Sequence, residues 1–560
     1  MQSDPLVNSD PSWFKDAVFY EVFVRAYADS NGDGIGDLAG LASKLEHLQW
    51  LGIDAVWMLP ICPSPLRDDG YDVADYTAIH PDYGNLDDFK ALVAVAHRLG
   101  LKVVVELIPN HTSDQNPWFQ ASRDPGHPEH TKYRDWYVWS DTDQKYKDAR
   151  IIFIDSEPSN WTYEPLRGQY YWHRFFDHQP DLNYDNPEVQ REMLRVVQFW
   201  MDLGVDAFRV DATPYLIERE GTSCENLPET HDYLKRVRSF VDGYAPGTML
   251  LSEANQWPED VRPYFGGDLQ NPEVPGDEFH MNFHFPVMPR IYMALARADR
   301  TPIVEILART PPLPKGCQWG TFLRCHDELT LEMVTPEERK FMWDFYAPEP
   351  RMRLNMGIRR RLAPLLGNDR SRIELANSIF FTLPGSPVIY YGDEIGMGDN
   401  IWIEDRGGVR TPMQWNAEQG AGFSEADPSK FYFPLIDDDN FGYRRVNVAQ
   451  QRGDPDSLLN RMRTMMAVRK ANPAFARGDF KVLEPENKAV LAFLRTWEGV
   501  NLLAVNNLST EPQTVALDLA AFAGATPVDL FTGERLPVVT AEPWPLALGP
   551  SGYRWLSITS

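Results

Sequence analysis

Cysteine is scarce. Only Cys62, Cys224, Cys317 and Cys325 occur in 560 residues, and no two stand in a C-x-x-C spacing. That excludes a disulfide framework and offers no zinc-ligand pattern. Basic side chains are also in deficit, 54 against 81 acidic ones, for a formal charge of −27. Such a field repels phosphate backbones and anionic bilayers, so neither nucleic acid nor membrane is an expected partner. No apolar run reaches membrane-spanning length. The opening Met1-Gln-Ser-Asp-Pro5 lacks the basic and apolar regions of a secretion signal, which makes the cytoplasm the expected compartment.

What is present is apolar and aromatic. The 43% hydrophobic content with 12% aromatic residues is that of a globular chain with large cores, and the length implies two or three domains. The 17 Trp and 23 Tyr exceed what a core requires, and aromatic faces often line sugar sites. A small-molecule ligand therefore suits the composition better than a macromolecule, and a homo-oligomer is compatible with it.

Near-continuous apolar runs alternate with amphipathic stretches. Strands are expected at 17–27, 54–60, 101–111, 205–212, 248–255, 278–285, 319–327 and 387–393. Helices are expected between them, at 38–51 closing on Gly52, at 85–98, at 187–203 with Pro187 in its first turn, and at 231–244. Eight such units predict an α/β protein built on a closed (β/α)8 TIM barrel, over residues 1–111 and 185–475. No glycine-rich phosphate loop follows the first strand, which argues against an open dinucleotide-binding sheet. Between Thr112 and Tyr184 the alternation stops in favour of Asp, Pro, Trp and Tyr, predicting an inserted subdomain over 112–184. Residues 328–367 read as a helical insertion (about 324–367), and Arg359, Arg360 and Arg361 as its solvated face. After Gly478 short alternating strands predict a C-terminal antiparallel β-sandwich over 476–560.

The loop Asp29-Ser-Asn-Gly-Asp-Gly-Ile-Gly-Asp37 follows the first strand. Its oxygen side chains Asp29, Asn31, Asp33 and Asp37, with Ile35 between them, resemble the first part of a calcium loop. The bidentate glutamate of a full EF-hand is missing, so a small Ca²⁺ or Mg²⁺ site is weighed against an Asx-rich turn.

In a TIM barrel, functional groups gather at the carboxyl ends of strands. Those ends carry Asn110 and His111, Arg209 and Asp211, Glu253, and His326 and Asp327. Arg209 and Asp211, two apart in a strand, share a face, and a guanidinium there favours an ionised carboxylate. Each acid alone reads more readily as a cap or an ion pair. Three from separate strands converging on one mouth point to glycoside chemistry, where one carboxyl attacks and a second donates a proton.

Gly70-Tyr-Asp72, Asn110-His111, Phe208-Arg-Val-Asp211, Glu253 and His326-Asp327 resemble, in order, the motifs of the α-amylase family, glycoside hydrolase family 13. The resemblance covers essentially the whole chain. It implies Asp211 as nucleophile, Glu253 as general acid/base and Asp327 as transition-state stabiliser. It further implies that Tyr71, Asp72, His111, Arg209, His326 and Arg410 hold the glucosyl ring. An integral calcium site would use Asn110, Asp181, Tyr215, Leu216 and Glu218. Stretches 322–334, 351–360, and 398–400 leading to 409–415 resemble members that interconvert maltose and trehalose by intramolecular glucosyl transfer. The last block and Gln179-Pro-Asp-Leu-Asn183 also occur in oligo-1,6-glucosidases and sucrose isomerases, so an exo-acting α-glucosidase using water is the alternative. Two residues depart from the family pattern: Cys325 stands where Asn is usual, and Glu106 where Asp is usual.

Overall fold

Eight strands close on one another in chain order: β1 (Phe19–Val22), β2 (Ala55–Met58), β3 (Lys102–Leu107), β4 (Ala207–Val210), β5 (Met249–Ser252), β6 (Met281–Phe283), β7 (Gln318–Phe322) and β8 (Ser386–Tyr390). Every pairing is parallel, and β8 returns to β1 with Val388 opposite Phe19. This computed structural model describes residues 10–559, and the opening pentapeptide read above lies outside them. The barrel is the expected fold, and its strands are buried almost throughout, as sheets covered on both faces must be.

The ladders are shorter than the apolar runs. The run at 205–212 pairs only over Ala207–Val210, and that at 319–327 only over Gln318–Phe322. Asp211 and Glu253 therefore occupy the first loop positions above the barrel, and Asp327 stands five residues past the end of its strand.

The enclosing helices follow their sequence signals. Leu38–Leu51 starts at Asp37, whose side chain accepts from the Gly40 amide, and stops at Gly52 with φ 104°. Leu86–Arg98 begins with a capping box between Asn85 and Asp88, and Pro187–Asp202 has Asn186 as cap and proline in its first turn.

Between β3 and β4, a small antiparallel sheet of Trp139–Ser140, Gln169–Trp172 and Trp161–Glu164 encloses Val138, Trp161 and Trp172. It rejoins the barrel where His111 bridges Asp181 and the Leu182 amide donates to the Asn110 carbonyl at 2.9 Å.

The stretch after β7 differs from expectation. It holds one capped helix, Pro336–Tyr346, and a three-stranded sheet of Leu329–Thr330, Gly357–Ile358 and Arg353–Leu354. Arg359, Arg360 and Arg361 are not a solvated helix face. Arg359 donates to the carbonyls of Arg351, Ile401 and Ile403, Arg360 Nε contacts both Asp399 oxygens at 2.9 Å, and Arg361 is fully buried against the Tyr391 carbonyl. Their partners come mostly from residues 391–405, too far along the chain for a local pattern to reveal.

C-terminal to the barrel, a five-stranded antiparallel sheet (order Asp479–Leu483, Val490–Trp497, Val500–Asn507, Tyr553–Thr559, Thr526–Asp529) shares a core with the pair Gln513–Leu517 and Trp544–Leu548. Arg495, from this sheet, is buried and donates to the Thr382 and Gly478 carbonyls at 2.8 and 2.9 Å. Among the described residues no helix is long and apolar enough to cross a membrane.

Candidate active site

Asp211 is the first residue past β4. Arg209 Nη1 donates to Asp211 Oδ1 at 2.5 Å, the same-face pairing the strand period requires. The register of β3 on β4 sets Glu106 opposite Arg209, and Nη1 also reaches Glu106 Oε2 at 3.0 Å. Nη2 lies 2.8 Å from Oε1 of Glu253, the residue after β5. One cation gathers three carboxyls. Ala212 then takes left-handed dihedrals, φ 51° and ψ 36°, which cost a β-carbon about 1–2 kcal/mol. That turn ends the ladder, and the Ala212 amide donates to Glu253 Oε2 at 3.2 Å.

Burial raises the proton affinity of all three acids, and Arg209 pulls against it. Glu253 is pushed up to about 8, with the charges of Asp211 and Asp327 adding to desolvation. Glu106 rises to about 7. Asp211 is also raised, so Arg209 opposes but does not overcome its desolvation.

Asp327 is the opposite case. Burial would raise it, yet His326 and Arg406 outweigh that and hold it well below the usual carboxylate range. His326 Nε2 is 3.0 Å from Asp327 Oδ2, and its Nδ1 is 2.5 Å from Glu21 Oε1 on β1. Caught between two carboxylates, His326 is raised to about 9, burial notwithstanding, and is an imidazolium at neutral pH. Arg406 Nη1 reaches Asp327 Oδ1 at 2.9 Å, and its Nη2 reaches Asp68 Oδ1 at 2.6 Å. Tyr71 stacks on His326 with ring centres 5.4 Å apart and donates to Glu106 Oε1 at 3.0 Å. Trp57 Nε1 donates to that same Glu106 oxygen at 3.0 Å.

These groups surround a cavity of about 120 Å³. Asp211, Glu253 and Asp327 line it, with Tyr71 and His111. His111 is held neutral by burial, its affinity lowered to about 3, and its Nε2 has no partner. Arg209, His326 and Arg410 stand behind the lining residues. Asp72 is fully buried and accepts from Ser64 Oγ and the Arg67 and Asp68 amides at 2.7, 3.1 and 3.2 Å. Sequence reasoning missed Asp68, Arg406, Phe153, Phe175 and Phe285, all of which line the cavity. Asp68 lies four residues before Asp72 and Arg406 four before Arg410, each beside a motif residue that drew the attention.

Two segments meet over the cavity. Arg150, from the insertion after β3, reaches Glu332 Oε2 at 2.6 Å, Glu225 Oε1 at 2.9 Å and the Tyr215 hydroxyl at 3.3 Å. The Asn355 amide, from the stretch after β7, donates to Asp155 Oδ2 at 2.7 Å.

Two places suit a cation to different degrees. Asn110 Oδ1, Asp181 Oδ2 and Glu218 Oε1 are buried without a hydrogen-bond partner. Burial pushes Asp181 up to about 8 and Glu218 well above the carboxylate range, Asp181's charge adding to the latter. Unpartnered acceptor oxygens are what a hard cation satisfies. Tyr215 and Leu216 follow β4 close by in sequence, in and just after the turn Thr213–Tyr215. In the loop 29–37, Asp29 accepts from the amides of Asn31, Gly32 and Gly34, Asp33 from Ile35, and Asp37 from Ser30 and Gly40. That loop closes as an Asx-rich turn on its own amides. Among the described residues no group of three or more His, Cys, Asp or Glu is disposed to hold a metal ion, so a cation in either place would have to lean on amide or main-chain oxygens.

A closed parallel barrel with three acids above its rim is an architecture of carbohydrate-active enzymes. The alpha amylase catalytic domain matches residues 21–340 and 358–478, and the C-terminal domain of maltogenic amylases matches 480–555. The chain belongs to the α-amylase family and is a carbohydrate-processing enzyme acting on small sugars. More particularly, it is 56% identical over 556 residues to the trehalose synthase/amylase TreS of Mycobacterium tuberculosis, covering 99% of this chain and 91% of that protein. It is also 56% identical over 560 residues to the trehalose synthase of a Pimelobacter species, covering 99% and 97%. Among solved structures, the trehalulose synthase MutB of Pseudomonas mesoacidophila superposes with a TM-score of 0.76 at 26% identity, covering 98% of this chain and 99% of that one.

Proposed function

We propose that this protein is a trehalose synthase, an isomerase that interconverts maltose and trehalose by moving one glucosyl unit within a disaccharide. The observation that carries the reading is the joining of Asp211, Glu253 and Asp327 in a cavity bridged above by Arg150 and Glu332. Identity above one half to two trehalose synthases supports the choice within the family.

Asp211 attacks the anomeric carbon of the non-reducing glucose. Its C1–Oδ bond forms as the bond from C1 to the α-1,4 oxygen breaks, and that oxygen takes the proton of Glu253. With an affinity of about 8, Glu253 holds this proton at neutral pH. Esterification removes the negative charge of Asp211, one of the causes that raised Glu253, so the proton affinity of Glu253 falls and its ionised form, the one that can act as base in the second step, is favoured. The released glucose rotates and attacks with its own anomeric hydroxyl, giving that proton to Glu253 and freeing Asp211. Asp327, ionised throughout, accepts hydrogen bonds from the ring hydroxyls as positive charge develops at C1. Asp211 and Glu253 share the Arg209 guanidinium, its Nη1 2.5 Å from the one and its Nη2 2.8 Å from the other, a closeness that suits retention.

Tyr71 and His111 border the reacting ring, and Arg209 and His326 fix the acids from behind. Asp72 acts through its neighbours Arg67 and Asp68. A Ca²⁺ ion held by Asn110, Asp181 and Glu218, with main-chain oxygens of Tyr215 and Leu216, would tie the inserted subdomain to the barrel. A second cation, Ca²⁺ or Mg²⁺, at Asp29, Asn31, Asp33, Ile35 and Asp37 would brace the first loop. We assign both a structural role and place the enzyme in the cytoplasm.

The contacts Arg150–Glu332 and Asp155–Asn355 keep the freed glucose in and water out, which intramolecular transfer requires. Chromatography of products from maltose and from trehalose tests the reading. Each sugar should yield the other plus minor glucose. Glucose alone from both would mean an exo-acting α-glucosidase, and substantial entry of added labelled glucose into trehalose would refute enclosure.

A further inference from the structure

Two consecutive aspartates hold two arginines on one oxygen of Asp327. Asp68 pairs with Arg406, which lines the cavity and donates to Asp327 Oδ1. Asp69 pairs with Arg410, which reaches that same oxygen from behind at 3.2 Å and the His326 carbonyl at 3.0 Å. Arg410 Nη1 lies 2.5 Å from Asp69 Oδ2, and Asp69 Oδ1 accepts the hydroxyl of Tyr432. The Tyr432 ring carries the Arg25 guanidinium 3.7 Å from its centre and meets the edge of Phe23.

The two arms face different fates when a sugar arrives. Arg406, buried at 6% overall, borders the cavity, where ring hydroxyls compete with it for Asp327. Arg410 is only 1% exposed and keeps its contacts. A buried guanidinium needs its carboxylate, and Asp69 supplies it from a left-handed backbone, φ 48°, that a residue with a β-carbon adopts at a cost. Neither Asp69 nor Tyr432 lines the cavity. Their hydrogen bonds lead inward, from Tyr432 to Asp69 and from Asp69 to the arginine that anchors Asp327.

We propose that Asp69 and Tyr432 are positioning residues for Asp327, acting through Arg410 to hold that carboxylate in place once substrate has displaced Arg406. The inference rests on the role of Asp327 given above. Tyr432 stands after β8, Asp69 after β2 and Arg25 after β1, so the relay spans three loops of the barrel mouth.

Tyr432→Phe removes only the hydroxyl and keeps the ring under Arg25, while Asp69→Asn keeps shape and removes charge. The full-length variants are assayed with 4-nitrophenyl α-D-glucopyranoside, whose cleavage needs only formation and hydrolysis of the glucosyl-enzyme, and by thermal unfolding. A misplacement of 1 Å can cost about 100-fold, and a loosened anchor should cost less, so kcat is expected to fall roughly 5- to 10-fold in each variant. KM should hardly move, Tm should hold in Tyr432→Phe and fall in Asp69→Asn, which strips a buried guanidinium of its carboxylate, and Tyr432→Phe should add nothing to the loss of kcat in the Asp69→Asn background. Unchanged kcat, or losses that multiply in the double variant, overturns the relay. Aryl-glucoside cleavage by the wild type without any trehalose from maltose would instead remove the isomerase reading and leave this one intact.

Discussion

Replacing Arg150 by methionine should convert a transferase into a leaky hydrolase. The guanidinium makes charge-assisted contacts to Glu332 and Glu225 at 2.6 and 2.9 Å, and its side chain is 34% exposed against 16% and 9% for its partners. A buried charge-assisted bond contributes about 1.5–3 kcal/mol and a solvated ion pair about 0.2–1 kcal/mol. With a third of the arginine in water, the bridge to Glu332 falls between them, at roughly 1–2 kcal/mol. Since Arg150 lies on the insertion after β3 and Glu332 on the stretch after β7, that energy joins the two segments of the cover. Losing about 1.4 kcal/mol shifts the closed-to-open ratio roughly tenfold. If water attacks only in the open state, the glucose-to-trehalose ratio from maltose should rise by about that factor in initial-rate chromatography. The Lys variant, which keeps charge but loses the fork, should fall between the two. An unchanged ratio accompanied by a collapse of total turnover would show that Arg150 supports the barrel rather than the cover, and the reasoning would be wrong.

Because Glu253 must be protonated to act and is raised to about 8, kcat/KM should hold through neutrality and decline above about pH 8. A decline centred near pH 5 in the rate profile would contradict that assignment. Glu218→Gln, or prolonged chelation, should lower Tm, and added Ca²⁺ should restore it after chelation; indifference to both removes the ion from the Asn110–Asp181–Glu218 site. Arg495→Met leaves the Thr382 and Gly478 carbonyls without their donor, at about 1–3 kcal/mol for each group that stays dry. Urea unfolding should show that loss, with separate transitions for barrel and C-terminal sheets if Arg495 couples them.

Much of the architecture was legible because it is written locally. Apolar period marked the helices, with Gly52 closing one and Pro187 opening another, and continuous apolar runs marked the strands. Asp211, Glu253 and Asp327 were legible for the same reason, as acids ending such runs. What escaped depends on chain segments brought together only by folding. Arg359 to Arg361 looked solvated because three consecutive charges ordinarily face water, whereas the carbonyls and carboxylates that bury them lie mostly at 391–405. Arg406 and Asp68 sit in irregular loops, where no period says which way a side chain points. Cys325 lines the cavity with its thiol near the Asp327 carbonyl, so the departure from Asn falls within the site. Glu106, the other departure, is buried among Trp57, Tyr71 and Arg209.

The single guanidinium of Arg209 facing Glu106, Asp211 and Glu253 is a statement about electroneutrality. One guanidinium shared by three carboxyls in a largely buried cluster leaves negative charge in excess, which favours retention of a proton near neutral pH. Which oxygen bears it is a matter of small differences, and Glu253 and Glu106, raised to about 8 and 7, are the two depots. The acid needed for the first step is thus stored by the cluster as a whole. Anything that adds a positive charge beside Arg209, or deletes one of the three carboxyls, would drain that store before it touched the geometry.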